Sequence, residues 1–325
     1  LATSLPLSDQ EHDRVTAFID EFSNAVLHAP VTQYDCIYRS HAFAESRAVL
    51  VLRSTAGSFA LKIDTESPAT GRLKDEFELL VDLSRYFERT DSSRVVQPVY
   101  LSPGGAFLVT EFIDRPTAVD LIYNSKDDNQ VAQVYRRAGS WLSDFHSRLA
   151  PVNYGFRPKW MIDSICDLAA MVPDDIAQKS RKMIDAMVTD GERLKGIEDL
   201  RVFSHGDFHG QNLIIGQGKT HGLDFTEVCE KLAVYDIVDF LKADIFRDGP
   251  ASEVDQSGIL RRNKQMFLRR YRLPIDTDIL DFCIRGRLLK DWLDYWCTDF
   301  TCSAFEEFRR TRLEMRLDIA FDAAN

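Results

Sequence analysis

Apolar residues recur at helical spacing over 9–28, at Val15, Phe18, Ile19, Phe22, Val26 and Leu27, and predict an opening amphipathic helix. The pattern then shortens. Asp35–Tyr38 reads as a short strand and Ala48–Arg53 (AVLVLR) as an apolar run of strand length. Ser58–Ile63 follows the turn pair Ala56-Gly57, so these two runs predict a hairpin. Residues 72–89 return to helical spacing, with Leu73, Phe77, Leu80, Leu83 and Phe87 on one stripe. Val95–Tyr100 and Ala106–Glu111 are strand-like and flank the turn sequence Ser102-Pro103-Gly104-Gly105.

Past Asp114-Arg115-Pro116 the chain becomes mainly helical. A helix is predicted over 128–149, with Val131, Tyr135, Ala138, Leu142, Phe145 and Leu149 on one side. Helical spacing continues over 160–196, punctuated by Pro173. Short strands are predicted at Arg201–Ser204, Asn212–Ile215 and Thr220–Phe225, and helices from 231 onward, broken near Gly249-Pro250 and Pro274. The change of character near 112–117 divides the chain into 1–113 and 114–325, an α+β organisation with no internal repeat.

The balance of 51 acidic against 40 basic residues, a net charge of −11, speaks against a nucleic-acid grip, which needs a basic surface for phosphates. An acidic cleft steers cations, so the same balance is compatible with a cationic small molecule. No run approaches the roughly 18 apolar residues of a membrane span. Leu1–Ser8 has neither the basic nor the apolar stretch of a secretory signal. Six cysteines without a C-x-x-C pair predict reduced, mostly buried thiols in a cytoplasmic protein. Oligomeric state is open at this level.

The densest polar cluster, Ser204-His205-Gly206-Asp207-Phe208-His209-Gly210-Gln211-Asn212, lies between two strand-like runs and is therefore a loop. Asp207 and Asn212 are five residues apart, and Asp224 follows after a predicted hairpin. Three oxygen-bearing side chains on strand-anchored loops suit a hard cation such as Mg²⁺.

HGDFHGQN resembles the H-G-D-x-H-x-x-N loop of the aminoglycoside phosphotransferase and choline kinase-like family, relatives of the protein kinases. Leu223-Asp224-Phe225 resembles the family's metal-binding aspartate step, and Tyr235-Asp236-Ile237 the aspartate that braces the catalytic loop. Upstream, Ala60-Leu61-Lys62-Ile63 resembles the third-strand lysine motif, with Glu76 14 residues on in the following helix. Phe107–Ile113 resembles the hinge strand.

The resemblance implies a two-lobed protein-kinase-like fold. Its N-terminal nucleotide-binding lobe (1–113) would be an antiparallel sheet with a helix; its C-terminal lobe (114–325) would be mainly helical and carry catalysis and acceptor binding. It implies ATP and Mg²⁺ as cofactors, with the nucleotide in a cleft between the lobes, and a small-molecule hydroxyl acceptor. Asp207 would be catalytic, and Asn212 and Asp224 would hold the metal. Lys62, paired with Glu76, would meet the phosphates, and the backbone at Glu111 and Ile113 would meet adenine. His205 and His209 are read as structural.

The segment Ser40–Arg47, where the family cradles phosphates, contains no glycine. Phosphate cradling would then lean on the Ser40 or Ser46 hydroxyls, and the departure opens a second reading, a catalytically weak pseudokinase or binding module. A third reading, a metallohydrolase, would use His205, Asp207, His209, His221 and Asp224 as metal ligands. Gly216–Thr220 mimics the end of a Walker A loop, but the glycine required five positions before Gly218 is Leu213. For a cationic acceptor, 281–300 is the candidate wall. Trp292, Trp296 and Phe300 share a helix face there, with Asp291, Asp294, Tyr295 and Asp299 beside them.

Overall fold

The computed structural model describes residues 5–40, 42–297 and 304–322. The chain falls into two compact units, Leu1–Arg115 with Gly216–Thr226, and Pro116–Ile215 with Glu227–Asn325. In the first, α1 (Asp9–Phe22) starts at a capping box in which Ser8 and Glu11 satisfy each other's backbone N–H groups. It leads through a wide turn at Ser23–Leu27 into β1 (Val31–Arg39), β2 (Arg47–Ser54) and β3 (Gly57–Asp64). A single turn α2 (Ser67–Thr70) precedes α3 (Arg72–Phe87), followed by β4 (Ser93–Val95), β5 (Pro98–Leu101) and β6 (Phe107–Glu111).

Five of these strands form an antiparallel sheet in the order β1-β2-β3-β6-β5. Val15, Ile19 and Phe22 of α1 are buried in one core with Leu50, Leu61 and Val109 of the sheet. β3 is central, so both its edges are hydrogen-bonded and Lys62 lies in register with Val49 on one side and Leu108 on the other. That pairing fixes where the lysine stem leaves the sheet.

The second unit opens with α4 (Ala118–Asn124), capped by a Thr117–Asp120 box, and α5 (Asp128–His146). Trp141, Leu142 and Phe145 of α5 are fully buried. Next come β7 (Val152–Gly155), α6 (Lys159–Ala169), α7 (Asp174–Leu194), β8 (Glu198–Ser204) and β9 (Leu213–Ile215). The chain then enters the first unit for β10 (Thr220–Gly222), which pairs in parallel with β4. It re-enters the second for β11 (Cys229–Leu232), which joins β8 and β7 in an antiparallel sheet. α8 (Ala233–Leu241), α9 (Arg261–Leu268), α10 (Thr277–Cys297) and α11 (Ala304–Asp322) complete it. α8 is apolar on nearly every side and is buried accordingly; its one fully enclosed acid is Asp236.

The expected α+β class, an antiparallel sheet with helices followed by a mainly helical region, is the observed one. The helical stretch over 160–196 is two helices, divided at the punctuating Pro173, which sits at the N-cap of the second. α4, β7 and β11 have no counterpart in the periodicity, being too short to show one. The cysteines are less buried than expected: Cys36 and Cys283 are buried, Cys166 is exposed, Cys229 and Cys297 are intermediate. Cys302 lies outside the described residues. None of the described helices is long and apolar enough to cross a membrane.

Candidate active site

Within the first unit the site grows from a charge placed in an apolar stripe. Leu73, Leu80, Leu83 and Phe87 of α3 are buried, and Glu76 is buried among them at 3% exposure. A buried carboxylate needs a partner. Lys62 supplies it, its Nζ donating to Glu76 Oε1 at 3.0 Å and Oε2 at 2.8 Å. The same ammonium donates to Asp224 Oδ1 at 2.8 Å. Burial works to depress the lysine, but the Glu76 and Asp224 carboxylates outweigh it and hold its pKa above the ordinary value. Two carboxylates share one ammonium, and burial pushes the Glu76 carboxyl up against the pull of Lys62.

Asp224 stands in the left-handed region at φ 61°, a conformation uncommon outside glycine that aspartate adopts more readily than most residues. Its neighbours are held in turn. The Phe225 N–H donates to Glu76 Oε1 at 3.2 Å, and the Thr226 hydroxyl donates to Asp224 Oδ1 at 2.9 Å. Arg72, one turn before Glu76 on α3, donates to the Thr226 Oγ1 at 2.9 Å.

At the predicted hinge, Glu111 N–H bonds Gln97 O and Phe112 N–H bonds Ser58 O, while Ile113 O receives the Arg115 N–H. The Glu111 carboxylate turns back on the Gln97 N–H at 2.9 Å, so this residue enters through its place in the strand rather than its charge. The glycine-free segment is a self-bonded turn. Its Ser46 and Arg47 N–H groups both bond Phe43 O, the Phe43 N–H bonds the Ser40 hydroxyl, and the Ser46 hydroxyl leans on Phe43 O. Of the two hydroxyls expected to cradle a phosphate, Ser46 donates within the turn and Ser40 accepts within it; His41 lies outside the described residues.

Within the second unit, β8 delivers the loop 205–212. Asp236 anchors its start, accepting the His205 N–H at 2.7 Å and the Gly206 N–H at 3.0 Å. Gly206 has φ 84°, and a Cβ there would run into the Glu227 carbonyl, so the turn requires glycine. His146, at the end of α5, bonds Asp236 through Nε2 at 2.9 Å and the Tyr271 hydroxyl through Nδ1 at 2.8 Å. Burial works to raise the Asp236 carboxyl, but the His146 bond and the flanking donors bring it down to about 2. The bracing role implied for Asp236 thus has a physical basis. His146 and Tyr271 were not read from the sequence. His146 falls one residue off the predicted stripe of its helix, and nothing local marks either residue.

Asp207, the next residue in the loop, keeps about half its side chain exposed (48%). The Asn212 amide donates to Asp207 O at 2.9 Å, so the amide nitrogen is the atom that ties this side chain to the loop. His209 Nδ1 accepts the Gln211 N–H at 3.2 Å, so the neutral ring carries its proton on Nε2, 3.3 Å from Asp207 Oδ2. His205 is fully buried against Trp141, Phe145 and Phe208. Among the described residues no group of three or more His, Cys, Asp or Glu side chains is gathered for a metal ion. His205 and His209 serve the loop's architecture instead, and His221 lies on β10 in the first unit. Mg²⁺ takes oxygen donors, and each unit carries one of the expected kind, the Asp224 carboxylate in the first and the Asn212 side-chain oxygen in the second.

The proposed acceptor wall on α10 is differently disposed. Trp292 is completely buried and belongs to the core. The Trp296 ring carries Arg310, the Tyr295 ring carries Arg309, and Asp291 faces Arg287 and Arg309. These aromatic faces and this acid are therefore engaged with the protein's own cations. Asp299 and Phe300 lie outside the described residues.

A lysine-bearing antiparallel sheet, a glutamate helix and a braced H-G-D loop define the class: a kinase-like fold. The profile of the phosphotransferase enzyme family (APH) matches residues 41–269, and the chain belongs to that family. No curated protein matches it. Among solved structures it is similar to a spectinomycin phosphotransferase in complex with ADP and spectinomycin. That match has 12% identity and a TM-score of 0.61, and covers 98% of this chain and 100% of the other. It is also similar to an amicoumacin kinase in complex with AMP-PNP, Ca²⁺ and its antibiotic, at 18% identity and a TM-score of 0.55, over 97% and 100%. A choline/ethanolamine kinase family protein from Mesorhizobium loti matches at 14% identity and a TM-score of 0.54, over 96% and 98%.

Proposed function

We propose that the protein transfers the γ-phosphoryl group of ATP to a hydroxyl of a small molecule, in a Mg²⁺-dependent reaction. The first unit binds the nucleotide; the second supplies the catalytic loop and the acceptor site. The observation that carries this reading is the Lys62 ammonium, held at once by Glu76 and Asp224. A part-buried ammonium fixed by two carboxylates is a preorganised countercharge for phosphate.

In this reading Lys62 neutralises the nucleotide phosphates, and Glu76 keeps its stem aimed. The backbone at Glu111 and Ile113 receives the adenine. Asn212 and Asp224 hold Mg²⁺, which when bound neutralises phosphate charge as the bond to the leaving group lengthens. Asp207 accepts a hydrogen bond from the acceptor hydroxyl and takes its proton as the oxygen attacks phosphorus. His209 and Asn212 keep the Asp207 carboxylate and backbone in place. Positioning and charge neutralisation carry such a transfer, because little covalent work is left to the protein. The reading places the reaction in the cytoplasm.

A second reading, a nucleotide-binding module with weak turnover, draws on the self-bonded Ser40–Arg47 turn. One pair of experiments separates the two. Titration calorimetry with AMP-PNP and Mg²⁺ measures binding, and ADP release over amines, amino sugars and polyols measures transfer. The kinase reading expects both signals. Binding without acceptor-stimulated ADP release selects the module, and absence of binding at saturating analogue overturns both.

A further inference from the structure

We propose that Arg72 and Thr226 are positioning residues for the Asp224 carboxylate, forming a relay that runs from α3 to the metal-ligating group. The inference rests on the reading of Asp224 as a Mg²⁺ ligand. α3 presents Arg72 and Glu76 one turn apart, on the same face. Between them and Lys62 they hold three consecutive residues. Lys62 holds Asp224, Glu76 holds the Phe225 N–H, and Arg72 holds Thr226.

The relay is directional. A hydroxyl has one proton to give. The Thr226 Oγ1 accepts from the Arg72 guanidinium at 2.9 Å, so its own proton is directed to Asp224 Oδ1 at 2.9 Å. Arg72 is anchored at its other side. It reaches Asp64 Oδ2 at 3.4 Å, and Asp64, 2% exposed, is itself held by Arg47 Nε at 3.1 Å and accepts the Glu66 N–H at 3.0 Å. The guanidinium thus bridges the end of β3 and the 224–226 turn as a strut.

The contacts on 224–226 also fix a left-handed backbone at Asp224 (φ 61°), uncommon outside glycine though more open to aspartate than to most residues. The carboxylate orientation matters more here than in a chain with a glycine-rich phosphate loop. The N–H groups of Phe43, Ser46 and Arg47 are spent on their own turn, so the metal and Lys62 carry more of the phosphate charge. Groups that orient a metal-ligating carboxylate typically contribute about 10–100-fold to metal affinity.

The test is Mn²⁺ binding in the presence of AMP-PNP, read from the free-Mn²⁺ electron paramagnetic resonance signal, for the wild type, T226V, T226S and R72Q. Valine keeps the shape of threonine without the hydroxyl, serine keeps the hydroxyl, and R72Q breaks the relay from its far end. T226V and R72Q are expected to weaken Mn²⁺ binding by roughly 10-fold or more, and T226S to restore it. The KM of any acceptor found by ADP release should be unchanged. T226V and R72Q binding Mn²⁺ as the wild type does would overturn the relay while leaving the kinase reading intact. Equal loss in T226S and T226V, with both melting early, would also overturn it, by assigning the residue to folding alone. A wild type that binds neither Mn²⁺ nor AMP-PNP would overturn both the relay and the kinase reading.

Discussion

Replacing Asp236 with asparagine tests whether the catalytic loop is held by one buried carboxylate. Asp236 is 1% exposed and accepts N–H groups from His146, His205 and Gly206 at 2.9, 2.7 and 3.0 Å. Asparagine keeps the shape but turns one acceptor oxygen into a donor, which leaves at least one buried N–H facing another. Each surviving bond also loses its charge assistance, about 1 kcal/mol apiece, and the orphaned donor costs about 1–3 kcal/mol more. D236N should therefore lose about 3–5 kcal/mol at pH 7, a large part of the roughly 5–15 kcal/mol that holds a protein folded.

A pH signature distinguishes this loss from a generic core defect. The Asp236 carboxyl sits at about 2 in the fold against 3.8 ordinarily. A folded-state pKa below the unfolded one stabilises fully above the unfolded value and is lost as pH falls through the folded one. The linked contribution is about 2 kcal/mol at pH 7 and about half that at pH 3. D236N lacks the titrating group, so the stability gap between wild type and variant should narrow by about 1 kcal/mol over that range. Urea unfolding followed by tryptophan fluorescence in steps from pH 7 to pH 3 measures it. A gap below about 1 kcal/mol at pH 7, or one that does not shrink on acidification, refutes the reasoning.

Asp207→Asn should lower acceptor-stimulated ADP release by roughly 10²–10⁴-fold while calorimetry still shows AMP-PNP binding; retained turnover would remove Asp207 from the reaction. Gly206→Ala should lower the melting temperature and turnover together. Its left-handed φ costs about 1–2 kcal/mol in a residue with a Cβ, and the Glu227 carbonyl blocks the added atom; an unchanged melt would show that the turn adapts. Trp292→Ala should cost about 3–5 kcal/mol of stability, because the ring is fully buried. A variant of native stability with a raised acceptor KM would return that residue to the acceptor wall.

The local rules were sufficient for much of this protein. Helical spacing marked α1, α3 and α5, because each is long enough to show its period, and apolar or strand-like runs beside turn sequences marked β2, β3 and β6. The order of Lys62, Glu76, Asp207, Asn212 and Asp224 and the spacing of the H-G-D loop were sufficient to point to the family. Other features depended on residues far apart in the chain. Arg72 and Thr226 are 154 positions apart, and His146 and Tyr271 are 125 apart. No local pattern records such a pairing, since the packing of α3 and α5 against their neighbours alone brings the groups within hydrogen-bond reach. The same holds for Trp292, Trp296 and Asp291. Sequence placed aromatic and acidic side chains on one helix, a pattern equally suited to a ligand or to a core. Only the tertiary structure, by burying Trp292 and setting Arg287, Arg309 and Arg310 against the others, decided between solvent, ligand and the protein's own charges as their partners.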